Sequence, residues 1–515
     1  MLSFVSGERK PRAHFSGIGG TGMVAVARLA IEAGWEVRGS DNPLYPPTSD
    51  MVRALDIPFS EGYAAANLDW APDVVVIGNA LSRGNEEIEA VLERGLPYMS
   101  YPEWLKFAVL PSRHSIVIAG THGKTTTTAL AAHLLDHAGK APGFLIGGQS
   151  DNFAHSSRLG AAGAPFVIEG DEYDTAFFDK RAKFFHYLPR TAVVTSLELD
   201  HADIYRNVEE IEAAFRFMLR QIPASGRLIL CADSPRAAAL REHAFSEVVT
   251  YGFDETADWR VEEGAQEGEF QAFTVYHGGS KWGEFRSPLY GRHNLQNTLA
   301  AIVVAHEQGV DAAEIATALL DFKGVRRRMD VFLKSDGILF IDDFAHHPTA
   351  IRETIAAVRA RWPGERLTVL FDPGRTKRGL VPNMEEGLPL TSGRSYRLTV
   401  SSSWLDAQGE PLAETFEKRF TVTPSDFNSP MPPQWKVSAP AAGTIAPVVV
   451  ALGETVDRAL ALRLIDVLSR RRTLVVGEAS LADHETRWSF TPKVPWRAGQ
   501  YRLRVDGTLE DPSGN

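Results

Sequence analysis

Cysteine is almost absent. Cys231 is the single one in 515 residues, so no disulfide forms within the chain, and such usage suits a reducing cytosol. Long apolar runs are missing too: no stretch of about 18 apolar residues occurs, so no membrane-spanning helix is expected. The opening stretch, MLSFVSGERKPRAHFSGIGG, has no apolar core ahead of its charges, which argues against a secretory leader. A basic excess is also lacking, since 54 Lys and Arg stand against 65 Asp and Glu, a net charge of −11. That sign excludes a general nucleic-acid binder. The expectation is a cytoplasmic protein with neither a nucleic-acid nor a membrane partner. Hydrophobic residues at 44% and charged ones at 23% are ordinary for globular protein, and the length fits three or four domains.

The richest stretch is SIVIAGTHGKTTTT, from Ser115 to Thr128. Ile116-Val117-Ile118-Ala119 reads as a buried parallel strand. Gly120-Thr121-His122-Gly123 turns the chain, and Lys124-Thr125-Thr126 opens a helix through Leu130 and Leu134. A strand, a glycine turn and a helix start carrying Lys and Thr form a phosphate cradle. Backbone N–H groups and the helix dipole face the anion, Lys124 reaches the outer phosphates, and the Thr125 hydroxyl suits Mg²⁺. The general phosphate-loop spacing would place glycine at position 118, where this chain has Ile118.

A second glycine loop lies upstream. Ala13-His14-Phe15-Ser16 leads into Gly17-Ile18-Gly19-Gly20-Thr21-Gly22, followed by a helical pattern through Val26, Leu29 and Ile31. Trp35 to Asp41 supplies the next strand, ending on a carboxylate 19 residues beyond Gly22. This is a Rossmann-like start, with Asp41 where a ribose-binding carboxylate would sit; a tight turn before a helix is the bland alternative. Two phosphate loops suggest two different phosphorylated ligands. Asp73 to Asn79 is another buried strand, followed by a helix from Asn85 to Arg94.

Beyond the central loop, Phe166-Val167-Ile168-Glu169 is a strand ending in the carboxylates Glu169, Asp171, Glu172 and Asp174. Thr191 to Ser196 is a further strand, running into Glu198, Asp200 and His201. Ligands of an open parallel sheet sit at the carboxyl ends of its strands, so Glu169 and His201 are expected to face the phosphate loop and hold Mg²⁺. Asn294 and Asn297, in GRHNLQN, either read an adenine edge or cap the helix they open. Arg326-Arg327-Arg328 precedes a strand over Gly337 to Asp343, a helix from about Pro348 to Arg361, and a strand over Arg366 to Phe371.

With these motifs in order, residues 13–372 resemble the Mur ligases of peptidoglycan synthesis. The strings that carry the resemblance are GSDNPLYPPTSD, VVVIGNALSRGN, PYMSYPEWL, AGTHGKTTT, IEGDEYDTAFFDKRAKFFHYLPRT, LELDHADIY, GRHNLQN and IDDFAHHPTAI. They match best the recycling branch, which joins UDP-N-acetylmuramate to the cell-wall peptide L-alanyl-γ-D-glutamyl-meso-diaminopimelate. The branch that takes L-alanine alone is the alternative. The resemblance implies ATP-driven amide formation through an acyl phosphate, with ATP and Mg²⁺ as cofactors. Lys124, Glu169 and His201 would be catalytic, and Thr125, Glu169 and His201 would hold the metal. ATP would lie against Gly120, Thr121, His122, Gly123, Lys124, Thr125, Thr126, Asn294, Asn297, Arg328 and Asp343. Gly17, Gly19, Gly20, Thr21, Gly22 and Asp41 would bind the UDP-sugar. One departure is plain: residues 202–222 contain no lysine, whereas several family members carry a carbamylated lysine there.

The implied fold class is α/β, in four parts: a Rossmann-like domain over 1–112, a P-loop ATPase domain over 113–324, a truncated third α/β domain over 325–372, and a tail over 373–515. In the tail 13 of the 30 prolines occur but only one histidine, His484. It repeats a pattern, Ser395-Tyr396-Arg397-Leu398-Thr399-Val400 and Gln500-Tyr501-Arg502-Leu503-Arg504-Val505, that alternates as half-buried antiparallel strands do. The tail resembles all-β Ig-like sandwich modules and reads as a join to an unrelated segment, by gene fusion or by a fault in sequence assembly. If the third domain is as short as this boundary implies, the chain would bind UDP-sugar and ATP yet ligate slowly or not at all.

Overall fold

The computed structural model describes residues 9–44, 48–199, 204–335, 337–369, 393–400, 415–421, 430–470, 472–483, 485–506 and 509. They form two compact units: one from Met1–Asp330 with Ile341–Arg366, the other from Val331–Phe340 with Leu367–Asn515.

In the first unit, strands Arg12–Ser16, Glu36–Asp41, Phe59–Glu61, Val74–Ile77 and Tyr98–Ser100 make a five-stranded parallel sheet. Arg12–Ser16 lies at the centre, between Glu36–Asp41 and Val74–Ile77, so the strand order reverses there. A reversal of order opens a crevice at the strand ends, which is where the Gly17 loop emerges. Val74 to Ile77 are all buried because both faces of the sheet are covered. The expected helix after this strand runs Glu86–Glu93, with Asn85 accepting the N–H groups of Glu87 and Ile88.

The second sheet has ten strands. Ser115–Ala119 sits between Thr191–Val194 and Phe166–Gly170, all parallel. Alternation along the central strand assigns its two faces. Ile116 and Ile118 pack with the helices Lys124–His137 and Arg292–Glu307, through Leu130, Leu134, Leu299 and Ile302. Val117 and Ala119 face the opposite core, which takes in Phe215 and Met218 and runs on without a break into Phe15, Val26 and Trp104 of the first sheet's layer. The two α/β layers therefore share apolar packing. An antiparallel meander, Trp259–Glu267, Phe270–His277 and Ser280–Ser287, extends the sheet and buries Val261, Phe273, Val275 and Phe285.

Past Gly324 the structure departs from expectation. Strand Asp330–Ser335, not foreseen, pairs with Ile338–Asp342. The helix Pro348–Arg361 follows as expected, with proline in its first turn. Residues 366–369 of the anticipated strand Arg366 to Phe371 adopt no strand, and 370 and 371 lie outside the described residues. The described part of this region therefore reads strand–strand–helix.

The second unit is built around Val450 and Trp488, both fully buried, with Phe490, Trp496, Ile465 and Val467. An antiparallel sheet orders Lys436–Ser438, Val448–Ala451, Arg487–Pro492 and Gly477–Ala482, and Ile465–Ser469 pairs with Tyr501–Val505. Both repeated segments are strands, the first as Ser395–Val400 paired with Phe416–Thr421. The tail is not all-β. Helix Arg458–Leu464 stands in it, started by Asp457, which accepts from the Leu460 N–H. In the same unit the Arg463 guanidinium lies 5.0 Å from the Phe332 ring centre.

Candidate active site

The central loop is held by its glycines. Gly123, at φ 81°, is the N-cap of Lys124–His137 and offers no side chain to the first-turn N–H groups. A Cβ there would overlap Asn297 Oδ1 and lie 3.0 Å from its Cγ. Gly120, at φ 127°, would bring a Cβ within 2.8 Å of the Ser196 nitrogen. Thr121 and His122 donate their N–H groups to Ser196 O and Oγ, at 3.0 and 2.9 Å, while Thr195 Oγ1 donates to His122 O. The turn is thereby pinned to the end of strand Thr191–Val194. The uncapped first turn, with Lys124, Thr125 and Thr126, presents a positive helix end, the arrangement that binds phosphate.

Lys124 Nζ donates to Glu172 at 2.9 and 3.1 Å and to Gly120 O at 2.8 Å. Burial opposes its charge, but the carboxylates of Glu172, Asp171 and Glu169 outweigh that and raise its pKa above the ordinary lysine value. Thr125 Oγ1 donates to Glu169 Oε1 at 2.9 Å and receives Arg328 Nη2 at 3.3 Å. Glu169 Oε2 accepts the Gly147 N–H at 2.8 Å. Burial, reinforced by the charge of Asp171, lifts the Glu169 pKa above the usual carboxylate range. Arg328 is flanked by two strained residues, Arg327 at φ 62° and Met329 at φ 53°. Asp343 holds this turn, its Oδ2 accepting the Met329 N–H at 2.7 Å and its Oδ1 that of Ala345 at 2.8 Å.

Asn294 and Asn297 are 5% and 7% exposed and lie inside their helix, whose N-cap is Gly291; the capping alternative is thereby overturned. Asn294 donates to Tyr290 O at 3.0 Å and lies 3.4 Å from Met329 Sδ. Asn297 accepts from Thr127 Oγ1 at 3.4 Å and donates to Asn294 Oδ1 at 3.3 Å. The structure thus brings together the loop 120–126, Glu169, both asparagines, Arg328 and Asp343. His201 lies outside the described residues.

At the first loop, Asp41 Oδ2 accepts the Gly19 N–H at 2.6 Å, while Oδ1 accepts Tyr63 Oη at 2.7 Å and the Asn42 N–H at 2.8 Å. The carboxylate thus braces the loop over Gly17, Gly19, Gly20, Thr21 and Gly22. Helix Thr21–Glu32 has Gly20 as N-cap and again no side-chain cap. Beneath the loop, fully buried Glu87 accepts from Ser16, from Ser40 at 2.6 Å, from His14 at 3.1 Å and from Asn67 at 2.7 Å. Burial alone would raise its pKa, yet the bonds from His14, Ser16 and Ser40 bring it down to about 2.

Sequence reasoning missed several residues here. Gly147 and Gly148 wall the side of the loop with Thr125 and Glu169, since a Cβ on Gly148 would come 3.1 Å from Thr125 Cγ2. Their adjacency after an apolar strand was the available signal. Lys183 lies 3.3 Å from Asp171, with the rings of Tyr101 and Tyr173 at 5.5 and 5.3 Å. Nothing local distinguishes Lys183 from Lys180.

Three family models match in chain order: the Mur ligase family catalytic domain over 12–110, the Mur ligase middle domain over 118–305, and the Mur ligase glutamate ligase domain over 327–417. The chain is 43% identical over 382 residues to the UDP-N-acetylmuramate–L-alanyl-γ-D-glutamyl-meso-2,6-diaminoheptandioate ligase of Escherichia coli K12, covering 72% of this chain and 82% of that protein. The chain is a Mur ligase. Mur ligases are ATP-dependent enzymes that form amide bonds. A likeness of 36% over 379 residues to the UDP-N-acetylmuramate–L-alanine ligase of a Roseiflexus strain covers 70% of this chain and 78% of that one. Among solved structures, the ligase of the first kind from Neisseria meningitides is 42% identical with a TM-score of 0.58, over 62% of this Mur ligase and 100% of that chain. A murein peptide ligase from Psychrobacter arcticus is 40% identical with a TM-score of 0.60, over 69% and 77% of the two chains. The third family model runs to 417, past the last motif read from the sequence.

Proposed function

We propose that this Mur ligase joins UDP-N-acetylmuramate to L-alanyl-γ-D-glutamyl-meso-diaminopimelate in peptidoglycan recycling, in the cytoplasm. The observation that carries the reading is the 43% identity over most of the chain to a relative bearing that activity's name. A lactyl carboxylate resists amines because its charge and resonance disfavour attack. ATP supplies the activating phosphoryl group, giving an acyl phosphate and ADP; the peptide amine then attacks the acyl carbon and inorganic phosphate leaves. In this reading the Gly17–Gly22 loop and Asp41 hold the UDP-sugar, while the Gly120–Thr126 turn holds the ATP phosphates. Asn294, Asn297 and Asp343 border the nucleoside side. Lys124 and Arg328 neutralise charge that builds on the transferred phosphoryl group.

Thr125 Oγ1 and Glu169 Oε1, 2.9 Å apart, are hard oxygen donors at the mouth of the loop and fit Mg²⁺, with His201 as a further ligand. That ion, when bound, screens the phosphate charges. Lys124, bonded to Glu172 in this structure, would give up that bond to reach the phosphate. The enzyme works by positioning and charge neutralisation, and no side chain acts as a covalent nucleophile.

In this reading the part of the second unit from Lys436 to Val505, past the third family match, is an Ig-like module joined to the ligase. Its support is the shared core between a four-stranded antiparallel sheet and a separate strand pair.

Phosphate release by the full chain with ATP, Mg²⁺ and UDP-N-acetylmuramate tests the assignment. Release that depends on the tripeptide supports it. Release with L-alanine alone assigns the chain to the other branch. Binding of both nucleotides without release under either acceptor identifies a non-ligating protein.

A further inference from the structure

One cluster joins His122 of the phosphate loop to two residues that the reaction above does not use, Glu198 and His347. His122 Nε2 and His347 Nδ1 lie 3.2 and 3.4 Å from the same carboxylate oxygen, Glu198 Oε2. The three donor atoms fall within 4.8 Å of one another, and all three residues are half-buried. They come from three segments: His122 from the phosphate loop, Glu198 from beyond strand Thr191–Val194, and His347 from the N-cap of helix Pro348–Arg361.

The surroundings of His347 fix its tautomer. Nε2 lies 3.3 Å from the Leu199 carbonyl, which can only accept, so Nε2 carries the proton. Nδ1 lies 3.3 Å from the Thr349 N–H, which can only donate, so Nδ1 presents its lone pair. That lone pair also faces the Glu198 carboxylate. A lone pair and a carboxylate oxygen at 3.4 Å repel unless a proton or a metal ion stands between them. An imidazole whose distal N–H is tied to a backbone carbonyl is the usual outer arrangement of a metal-binding histidine.

We propose that His122, Glu198 and His347 form a site for a zinc-class divalent cation, separate from the oxygen-rich Mg²⁺ position at Thr125 and Glu169. Two imidazoles and one carboxylate suit Zn²⁺ or Co²⁺, whereas Mg²⁺ takes all-oxygen shells. Such an ion ties the phosphate loop to the start of helix Pro348–Arg361, so occupancy restrains the motion of one against the other. A second cluster, Glu103, Asp179 and His186, offers only one imidazole, and its Asp179 is held by Arg181 at 2.6 Å.

The test is titration of the chelator-stripped full chain with ZnCl₂, followed by calorimetry in millimolar-range Mg²⁺ that saturates the oxygen site. CoCl₂ is used in parallel for visible absorption. The expected result is one tight equivalent and a Co²⁺ spectrum of tetrahedral intensity. Binding should weaken more than about tenfold in His347→Gln and in Glu198→Gln, and persist in Glu169→Gln and His186→Gln. Added Zn²⁺ should also slow amide exchange in Pro348–Arg361 of the wild type, a readout needing no variant. Absence of a stoichiometric Zn²⁺ equivalent overturns the proposal, as does unchanged affinity in a folded His347→Gln. Loss of binding in Glu169→Gln or His186→Gln would assign the ion to another site and overturn it equally.

Discussion

Replacing Gly123 by alanine tests how tightly the phosphate turn is built. Gly123 sits at φ 81°, where an L-residue with a Cβ costs about 1–2 kcal/mol. The new methyl also overlaps Asn297 Oδ1, an atom held between two helices on a residue 7% exposed. Moving Asn297 aside forfeits its bonds with Thr127, at 3.4 Å, and Asn294, at 3.3 Å. Each such bond contributes about 0.5–1.5 kcal/mol. Strain and lost bonds together come to roughly 2–5 kcal/mol. Local opening of Lys124–His137 reads this directly, because exchange there speeds by about 30-fold for each 2 kcal/mol lost. Asn297→Ala in the same chain removes the overlap but not the strain. The double variant should therefore be less destabilised than the sum of the singles, by about 1–3 kcal/mol. Exchange in Gly123→Ala within about threefold of wild type, with no coupling to Asn297, would refute the reasoning.

Lys124→Ala should lower ATP-dependent phosphate release by at least about 100-fold, while calorimetry finds UDP-N-acetylmuramate affinity nearly unchanged, because the sugar nucleotide rests on the separate loop over Gly17 to Gly22. Loss of UDP-sugar affinity would count against that division. Glu87 sets an acid limit on the first sheet. Its folded pKa of about 2 lies below the usual carboxylate value, so its stabilisation is complete above the unfolded value and is lost as pH falls from about 4.5 towards 2. The loss is at most about 3 kcal/mol, and acid unfolding of Glu87→Gln should show a correspondingly flatter pH dependence. An unchanged acid transition in that variant would contradict the assignment.

The site was legible where local chemistry dictates local shape. Gly120 and Gly123 stand out in sequence because no other residue takes their φ and their space, and Lys124-Thr125 can only follow such a turn at a helix start. Asn294 and Asn297 were legible as a pair but not in role, since a capping and an inward asparagine share one pattern. Only packing against Thr127 and Met329 separates them. Strand Asp330–Ser335 was hidden because positive φ at Arg327 and Met329 breaks the chain just before it. Helix Arg458–Leu464 has a capping Asp457 but only seven residues, too few for periodicity to outweigh the strand patterns around it. Glu87, 73 residues from His14, and Glu198, 149 residues from His347, form networks that no local window contains.

Transfer of label from substrate to phosphate measures the central claim most directly. UDP-N-acetylmuramate carrying ¹⁸O in its lactyl carboxylate is incubated with the full chain, ATP, Mg²⁺ and the tripeptide, and the amide product and inorganic phosphate are weighed by mass spectrometry. Activation through an acyl phosphate leaves one carboxylate oxygen on phosphorus, so each amide formed is accompanied by one phosphate carrying one ¹⁸O. Unlabelled phosphate, or phosphate released without amide product, would contradict the account.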